Sequence, residues 1–395
     1  MEKRLGVHLK DASIEFESRV MKITRSIMRN DIVTDIIIIG KWRSGLESVE
    51  CIDNCRKIVR INTPLQKFVA AGFFKRPTIF RKKIALISIF VFHVSILLRL
   101  LKSKNIRYVC VHNPELLFIS FVFKVIKGGT IFYSPHELEP HKQGLGKAHR
   151  LFIRFFEPIL INLTNASVFV VSENIADWYA KEYRLGRPVV VKNAPRLVSS
   201  IKTNHFRENF GIKDRSIIAL YQGGLTKGRG VEFLLDAFKK RVDDNIVIVF
   251  MGYGELEDDI KNSSIENGNI FFQPAVAPDI VLEYTASADI GISFFENTCL
   301  SHYYVLPNKL FEYAMAGLPV IVSNMKEMRE LVEHYNMGII VGEKNVYALN
   351  DAIDKILKSD LKQMKIKARM CAEENAWEIQ EIKMVNAFKT KLDEK

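Results

Sequence analysis

The chain has 395 residues, more than one hydrophobic core usually supports, and its 48% hydrophobic residues, 26% charged residues and 12 prolines exclude a disordered or fibrous protein. Its five cysteines are odd in number and scattered, which argues against a disulfide framework and favours a reducing cytosol. Residues 1–200 contain 33 Lys and Arg against 16 Asp and Glu, a net charge of +17, whereas the rest of the chain carries −5, so the excess positive charge belongs to one half.

The first half of the chain alternates short β-branched runs with longer amphipathic segments. Residues 1–30 are charged and amphipathic and lack the apolar core of a signal peptide, which also favours a cytoplasmic protein. Short apolar runs of the kind that form buried parallel strands follow at 32–40, 108–112, 129–133, 166–172 and 188–192. This alternation predicts a doubly wound α/β domain with a parallel sheet over residues 1–200.

A strongly basic region lies between residues 61 and 130, where twelve Lys and Arg face one acidic residue, Glu115. Such a charge attracts either nucleic acid or an anionic bilayer. Within it, residues 81–104 place about fifteen mostly apolar residues between basic flanks, fewer than the ~20 that a spanning helix needs. Three interpretations remain open: a buried core helix, a helix lying in the membrane interface, and a true membrane span.

The alternation of strands and helices begins again after a polar stretch at residues 196–209. Six further strands are predicted, at 216–221, 245–251, 269–273, 290–294, 319–323 and 338–341. They indicate a second α/β domain over residues 201–374, followed by a closing helix over 375–395. Open α/β sheets bind ligands beyond the carboxyl ends of their strands, so the loops at those ends are the candidates for chemistry.

The first candidate site is the glycine-rich loop from Gly223 to Gly230, which follows a predicted strand and opens a predicted helix. Glycines let a phosphate approach the backbone, the helix N-terminus offers free N–H groups, and Lys227 and Arg229 add positive charge. The loop matches neither of the common phosphate-binding fingerprints, so a plain turn is the alternative.

The second candidate is PNKLFEYAMAGLP, residues 307–319. Asn308 is predicted to cap a short helix whose N-terminus can face an anion, with Lys309 beside it. Glu312 lies four residues after Asn308 on the same helix face, where its carboxylate could accept hydrogen bonds from paired sugar hydroxyls. The alternative is a helix on which Lys309 and Glu312 are solvated charges.

Several individually weak motifs occur in a fixed order along the chain. They are residues 111–113 (VHN), 134–137 (SPHE), 171–172 (VS), 193–195 (NAP), 223–230, 251–254 (MGYG), 288–292 (ADIGI), 307–321 and 377–378 (WE). In this order and at these separations they resemble the family 4 glycosyltransferases, especially those of bacterial surface-polysaccharide and lipopolysaccharide biosynthesis. The resemblance covers nearly the whole chain and implies the GT-B fold, with two Rossmann-like doubly wound parallel-sheet domains facing across a cleft and a terminal helix crossing back to the first.

The resemblance also implies roles for individual residues. Arg229 takes the place of the basic residue that meets the donor diphosphate, Glu312 that of the carboxylate that binds the nucleotide ribose, and His136 that of the histidine near the transferred sugar. These three are the predicted catalytic residues, and the predicted donor-binding residues are Gly223, Gly224, Lys227, Arg229, Asn308, Lys309, Leu310 and Glu312. Independently of the resemblance, a histidine at a strand end, such as His112, is more often structural than part of a site.

Two positions depart from the family pattern. Gly224 stands where the family often has a second basic residue, for which Lys227 could substitute. Tyr304 stands where a second glutamate often occurs, eight residues before Glu312, and this leaves the identity of the donor sugar open. Tyr303, Tyr304 or Asn297 could make the missing contact.

The implied activity is transfer of a hexosyl or N-acetylhexosaminyl group from a nucleotide sugar, with UDP favoured, to a lipid-linked or growing glycan. The family transfers with retention and without a metal or other cofactor, and the basic half would place this protein peripherally on the cytoplasmic face of an anionic membrane. A nucleotide-sugar epimerase or hydrolase on the same fold is the alternative. A nucleic-acid-binding protein is a distant one, because the aromatic residues of the basic half cluster with apolar runs instead of alternating with basic residues.

Overall fold

The computed structural model describes residues 3–15, 17–64, 79–199, 201–241 and 245–394. The chain forms two compact units: Met1–Pro140, Gly144–Val191 and Glu381–Lys395 make up the first, and His141–Gln143 with Lys192–Gln380 make up the second. The main change of unit therefore falls shortly before the predicted boundary at residue 200. The closing helix contributes its residues from Glu381 onward to the first unit.

The first unit is built on an eight-stranded sheet. Its strands are β1 (Leu5–Leu9), β2 (Asp35–Lys41), β3 (Val49–Cys51), β4 (Arg56–Ile61), β5 (Ile106–Val111), β6 (Thr130–Tyr133), β7 (Ser167–Val170) and β8 (Val189–Val190). They lie in the order β3, β4, β2, β1, β5, β6, β7, β8, with β3 antiparallel to β4 and the other neighbours parallel. The sequence analysis did not predict β1, β3 or β4.

Helices connect the strands of this unit. The described ones are α1 (Ser18–Arg29), α2 (Ile79–Lys102), α3 (Leu117–Lys127), α4 (Lys147–Thr164) and α5 (Glu173–Tyr183). Along α2, every fourth residue is buried, namely Ile84, Ser88, Phe92, Ile96 and Leu100. The helix has the length and composition of a membrane span. Only 28% of its Lys83–Lys102 window is buried, which is too little for the core helix of a domain. The apolar segment predicted at 81–104 is therefore not a core helix; one of its faces packs on the unit and the other is exposed.

The second unit is built on a six-stranded parallel sheet. Its strands are β9 (Ile217–Gly224), β10 (Ile246–Tyr253), β11 (Ile270–Pro274), β12 (Ile290–Ser293), β13 (Val320–Ser323) and β14 (Gly338–Val341), in the order β11, β10, β9, β12, β13, β14. Each of the six predicted strands coincides with one of them. Successive residues such as Ala219 and Leu220 lie in two different hydrophobic clusters, because neighbouring side chains point to opposite faces and both faces of this sheet are buried.

The helices of the second unit separate these strands. They are α6 (His205–Phe210), α7 (Val231–Lys240), α8 (Glu257–Glu266), α9 (Val281–Ala286), α10 (Leu300–Tyr303), α11 (Asn308–Met315), α12 (Lys326–Tyr335), α13 (Val346–Lys358) and α14 (Leu361–Asn375), followed by the closing helix α15 (Trp377–Asp393). Phe388 of α15 packs in the first unit, where its ring centroid lies 3.8 Å from that of Phe132 and 5.3 Å from that of Phe169. This aromatic stack fixes the end of the chain to the first sheet.

Each sheet has one point at which its strand order reverses. In the first unit the chain moves from β1 toward β4 on one side, and β5 then begins the other side next to β1. In the second unit β9, β10 and β11 run outward on one side, and β12 returns to the other side of β9. Ligands of open α/β sheets bind beyond the carboxyl ends of the strands at such a switch point. Ligands are therefore expected beyond the ends of β1 and β5 in the first unit and beyond the ends of β9 and β12 in the second.

A buried carboxyl group in the first unit is held by three tyrosines. Glu157 on α4 is 1% exposed and accepts hydrogen bonds from the hydroxyls of Tyr133 at 2.6 Å, Tyr179 at 2.7 Å and Tyr183 at 2.8 Å. Burial raises the pKa of Glu157 to about 7, although the three hydroxyls partly oppose the shift. The folded unit therefore binds a proton at Glu157 more tightly than the unfolded chain does.

We expect Glu157 to make the stability of the protein depend on pH. Because its folded pKa lies above the usual 4.5, its stabilising contribution is complete below pH 4.5 and is lost as the pH rises through 7. The shift corresponds to about 3 kcal/mol. Glu157→Gln, which keeps the shape of the neutral form, should reduce this loss. Urea unfolding of both proteins between pH 4.5 and 8 measures it, and identical pH dependence of the two would contradict the expectation.

Candidate functional site

The glycine-rich loop of the second unit is held in one conformation by its neighbours. It joins the end of β9 to the start of α7, and the single hydroxyl proton of Tyr221 is shared between the carbonyls of Gly224 and Arg229, at 3.1 and 3.2 Å. Gly230 precedes α7 with φ +75°, and a Cβ placed there would lie 2.6 Å from the Cβ of Phe294. The loop thus takes a defined path over the carboxyl ends of β9 and β12.

The side chain of Arg229 lies beside Gly224 of the same loop. Its Nη1 is 3.6 Å from the position that a Cβ on Gly224 would occupy, and its Cζ is 5.5 Å from the ring centroid of Phe295. A Cβ at position 224 would therefore be in ordinary van der Waals contact with the Arg229 guanidinium.

Lys309 is a buried cation beside Arg229. Lys309 is 6% exposed, and its Nζ lies 3.7 Å from the ring centroid of Tyr221. Among the described residues its Nζ has no hydrogen-bond partner. Burial and the charge of Arg229 lower the pKa of Lys309 well below its usual value, and the carboxylate of Glu312 opposes this only in part. A buried ammonium without an acceptor is costly, so this position favours a bound anion.

Glu312 lies one turn further along α11 and is half-buried. Its Oε2 accepts a hydrogen bond from Nε2 of Gln222, whose Oε1 accepts in turn from the hydroxyl of Thr285 at 2.8 Å. The hydroxyl of Tyr313 accepts from the backbone N–H of Gln222 at 3.0 Å. Gln222 and Thr285 thus fix the orientation of the Glu312 carboxylate. The sequence analysis did not predict either residue, because neither belongs to a motif. Only the folded structure places them next to Glu312.

The start of α11 differs from the prediction. Asn308 is the exposed first residue of the helix and not its cap; the N-cap is Pro307, with φ −77° and ψ 146° and no side-chain capping bond. The fixed φ of proline suits the extended entry to a helix. The side chain of Leu310 lies fully buried in the hydrophobic core, so any contact of this residue with a ligand would come from its backbone.

The remaining predicted donor-binding residues lie at the exposed rim of the loop. Gly223 has φ +112°, and a Cβ there would lie 3.7 Å from Cε of Lys309. The side chain of Lys227 is exposed, and its backbone N–H donates to Oε1 of Glu255 at 3.1 Å. Tyr304, which replaces the second glutamate, is half-buried and packs its ring 5.3 Å from that of Tyr303. The structure therefore brings together Arg229, Lys309 and Glu312.

The first unit has its own polar cluster at the carboxyl ends of β1, β5 and β6. Nε2 of the predicted site residue His136 lies 3.2 Å from Nδ1 of His112, and Nε2 of His112 lies 3.0 Å from Nδ1 of His8. Nε2 of His8 lies 3.0 Å from the hydroxyl of Tyr108. These four residues are called the histidine relay below. His112 thus contacts His136, although the sequence analysis favoured a structural role for it.

Two charged residues adjoin the outer end of the relay. Nδ1 of His136 lies 3.3 Å from Nζ of Lys10 and 3.7 Å from Oε2 of Glu17. Burial lowers the pKa of His8 to about 3 and that of His112 well below its usual value, so both rings are neutral near pH 7.

Three side chains in this region could in principle bind a metal ion. The ligand atoms of His8, Cys110 and His112 all lie within 4.8 Å of one another. The facing nitrogens of the two histidines already share a hydrogen bond, and burial raises the pKa of the Cys110 thiol well above its usual value. The guanidinium of Arg19, whose Nε donates to Oγ of Ser134, adds a buried positive charge next to Cys110. This environment suits neutral hydrogen bonding better than a cation.

Comparison with known proteins relates the second unit to a known protein family. The family model described as "Glycosyl transferases group 1" matches residues 202–375. Residues 202–375 are therefore similar to a glycosyltransferase group 1 domain. The cluster of Arg229, Lys309 and Glu312 lies within these residues. An uncharacterized glycosyltransferase, MJ1607, of Methanocaldococcus jannaschii is 27% identical over 157 residues, and the match spans 39% of each chain.

The two units together have the fold of known glycosyltransferases. The structure of sucrose-phosphate synthase from Thermosynechococcus elongatus is similar with a TM-score of 0.75 and 14% identity over 100% of both chains. That of Anabaena HepE in complex with UDP-glucose has a TM-score of 0.68 and 12% identity, covering 99% of this chain and 100% of HepE. The predicted fold class is confirmed: the chain has two α/β units with parallel sheets, and its structural neighbours are GT-B glycosyltransferases.

Proposed function

We propose that this protein is a glycosyltransferase of the family 4 type that moves a hexosyl or N-acetylhexosaminyl group from a nucleotide sugar to a lipid-linked or growing glycan. The observation that carries the proposal is the buried Lys309 beside Arg229, whose Nζ has no hydrogen-bond partner among the described residues, at the switch point of the unit that matches the group 1 family model. A UDP-sugar is the favoured donor, because HepE, of the same fold, was solved in complex with UDP-glucose.

The donor is proposed to bind along the carboxyl ends of β9 and β12. Its diphosphate supplies the hydrogen-bond acceptor that Lys309 lacks among the described residues and pairs with Arg229, and the first turn of α11 adds N–H groups. The carboxylate of Glu312, held by Gln222, accepts hydrogen bonds from the two ribose hydroxyls. Arg229 and Lys309 are the two cations proposed to match the diphosphate. No metal is proposed to take part.

Transfer is proposed to proceed with retention. The leaving diphosphate takes the proton of the acceptor hydroxyl on the face from which it departs, so the protein supplies no nucleophile. Arg229 and Lys309 stabilise the charge that develops on the diphosphate, and they are already in place when the bond breaks. His136 is proposed to orient the transferred sugar.

A radiolabelled-sugar assay tests the proposal. The purified protein is incubated with UDP-, GDP- and CMP-linked sugars, with and without lipid-linked saccharide acceptors, and products are identified by mass spectrometry. We expect label in the acceptor and nucleotide release that requires the acceptor. Free sugar or an epimerised donor formed without acceptor would instead identify the hydrolase or epimerase that the same site could support.

The protein is further proposed to act on the cytoplasmic face of an anionic membrane, which it contacts through one surface of the first unit. Helices α2, α3 and α4 pack successively on one another. Their outward sides expose large apolar side chains: Leu86, Ile87, Ile89, Phe90, Leu98, Phe118, Val125, Ile126, Leu151, Phe152, Phe155, Phe156, Ile159 and Leu163. We call these residues the apolar face. Soluble monomers rarely expose so much apolar surface without a partner.

The charges around the apolar face support an anionic bilayer as the proposed partner. Exposed or half-exposed basic residues from the same three helices and their ends accompany it: Lys83, Arg99, Lys102, Lys104, Lys124, Lys127, Lys147, Arg150 and Arg154. We propose that α2, which packs on the unit along one side and exposes apolar side chains along the other, lies in the membrane interface. The basic excess of the first 200 residues is proposed to serve lipid binding, and nucleic-acid binding is not proposed.

Flotation with vesicles tests this surface. We expect the protein to float with phosphatidylserine-containing vesicles at low salt, and Phe90→Ser combined with Phe155→Ser to weaken binding at least about tenfold, since two large apolar contacts are lost. The matched control, Ile265→Ser with Tyr347→Ser, changes two residues of the second unit that are 84% and 87% exposed and should bind like the wild type. Equal flotation of both variants, or no lipid binding by the wild type, would contradict the docking proposal without affecting the donor site.

A further inference from the structure

The three helices that carry the apolar face meet at the ligand-binding end of the first sheet. α3 follows the end of β5 after a short 3₁₀ turn, and α4 runs back to Thr164, shortly before β7 begins, so both helices start at the carboxyl ends of the strands. Glu115, in the turn before α3, joins the three helices. Its Oε1 lies 3.1 Å from Nε2 of His149 on α4, and its backbone oxygen lies 3.3 Å from Nε2 of His93 on α2. The apolar face therefore borders the end of the sheet at which ligands of this fold bind.

Helix α2 extends beyond this end of the sheet. Nζ of Lys41, the last residue of β2, lies 5.2 Å from the ring centroid of Phe92, so Phe92 is level with the carboxyl ends of the strands. The helix begins at Ile79, and at about 1.5 Å per residue its first part projects about 20 Å past the sheet. This part exposes Leu86 and Phe90, whose residues are both 68% accessible. A bilayer on the apolar face would thus continue alongside the space in which an acceptor binds.

One layer of helices separates the first sheet from the apolar face. α3 packs on β5 and β6 with one side and exposes Phe118, Val125 and Ile126 on the other. A helix is about 10 Å across, so a bilayer that contacts the apolar face lies about 10 Å from the sheet. A phosphate and a short saccharide can span this distance. The far end of a long glycan, in contrast, extends away from the membrane and from the sheet.

Two basic residues in the first turn of α4 lie at the border between the apolar face and the carboxyl ends of the strands. The side chain of Lys147 is exposed and that of Arg150 is half-buried. Nε of Arg150 is itself buried and has no hydrogen-bond partner among the described residues. This turn contains no acidic residue, and the nearby carboxylate of Glu115 contacts His149. Because a buried guanidinium N–H without an acceptor is costly, the position of Arg150 favours a bound anion.

We propose that the acceptor is a short saccharide joined to a lipid through a phosphate, and that Arg150 and Lys147 bind this phosphate at the border of the apolar face. The inference rests on the proposed function for sugar transfer and for membrane docking. The lipid phosphate does not react: the new glycosidic bond forms at a hydroxyl of the saccharide, and the nucleotide leaves with the proton of that hydroxyl. The acceptor must therefore be supplied by an earlier membrane reaction that joins a sugar to a lipid through phosphate.

Binding of two synthetic lipids tests the phosphate site without any turnover. One probe is an alkyl chain joined to a hexose through a phosphodiester, and the other is the alkyl hexoside without the phosphate. Both are titrated calorimetrically into the purified protein in nonionic micelles. We expect the wild type to bind the phosphodiester at least about tenfold more tightly, and Lys147→Met combined with Arg150→Met to remove this preference, since charge-assisted contacts to the phosphate are lost.

The matched control is Lys358→Met combined with Lys362→Met. It removes two positive charges that are exposed on the second unit, and it should keep the preference of the wild type. Equal affinity of the wild type for both probes, or an unchanged preference in the variant of Lys147 and Arg150, would overturn the inference. The titrations are equally decisive if the protein proves not to be a transferase.

Transfer in vesicles tests the length of the saccharide. Acceptors that share the lipid and the phosphate but carry a monosaccharide or a hexasaccharide of the same sugar are compared at equal surface density. Effective concentration falls with about the −3/2 power of tether length beyond the span, so kcat/KM should be at least about tenfold lower for the hexasaccharide. The free saccharides without lipid are the control and should show no such difference. Equal use of both lipid-linked acceptors would overturn the short acceptor and leave the transferase activity unaffected.

Discussion

Glu312→Ala is expected to abolish sugar transfer while leaving the protein folded. The carboxylate is half-buried and oriented by Gln222, so its loss removes an acceptor prepared for the ribose hydroxyls. Hydrogen bonds to a charged group contribute about 1.5–3 kcal/mol each, so kcat/KM should fall at least about 100-fold. Steady-state kinetics with the preferred UDP-sugar measure the loss, and circular dichroism with thermal unfolding confirms the fold.

Two further variants separate a role at the donor from a general effect of charge. Glu312→Gln keeps the size of the side chain and one carbonyl acceptor, so it should retain more activity than Glu312→Ala. Asp258→Ala removes an acidic side chain that is 95% exposed on α8, and its kinetics should equal those of the wild type. Unchanged turnover in Glu312→Ala would remove this residue from the site.

Lys309→Met is expected to weaken UDP binding strongly without destabilising the free protein. The substitution keeps the length of the side chain but removes a buried charge that has no acceptor among the described residues. Since an unpaired buried charge costs stability, the unliganded variant should melt at the same temperature as the wild type or higher. Loss of a charge-assisted contact to the diphosphate should raise the Kd for UDP about 10- to 100-fold. Thermal unfolding with and without UDP measures both effects.

Lys309→Met is thus expected to lower the affinity for UDP while leaving the melting temperature of the free protein equal or higher. A purely structural lysine would lose stability and UDP affinity together, and that result would exclude Lys309 as a diphosphate ligand. Arg229→Met removes the second cation of the same cluster and should weaken UDP binding by a similar factor. Lys240→Met is the matched control, because the side chain of Lys240 is exposed at the C-terminal end of α7, and it should change the affinity by less than about threefold.

The sequence predicts the second unit more completely than the first. Strands β9 to β14 are apolar runs buried on both faces, so their pattern is unambiguous. β1 contains His8 and β4 contains three basic residues, and both therefore look like solvated segments, although burial of His8 and of Arg56 and Arg60 is compensated by hydrogen bonds. Such strands become recognisable only when the groups that satisfy their polar side chains are known.

The candidate site divides in the same way. Arg229, Lys309 and Glu312 follow from motif positions, because a glycine loop and a helix start carry a local signature. Gln222, Thr285 and the histidine relay depend on contacts between residues far apart in the chain, such as the 104 positions that separate His8 from His112. The prediction that Asn308 caps α11 was wrong because Pro307 takes the N-cap position.

Calorimetric titration of UDP into the wild-type protein tests the donor site most directly. In the free protein, burial and Arg229 lower the pKa of Lys309; a bound diphosphate adds negative charge beside it and must raise that pKa. Repeated in buffers of different ionisation enthalpy over a series of pH values, the titration should therefore show saturable binding, with proton uptake at pH values above the lowered pKa of free Lys309, and this uptake should disappear in Lys309→Met. Absence of UDP binding, or binding of equal strength and equal proton uptake in the variant, would contradict a diphosphate site built on Lys309 and Arg229.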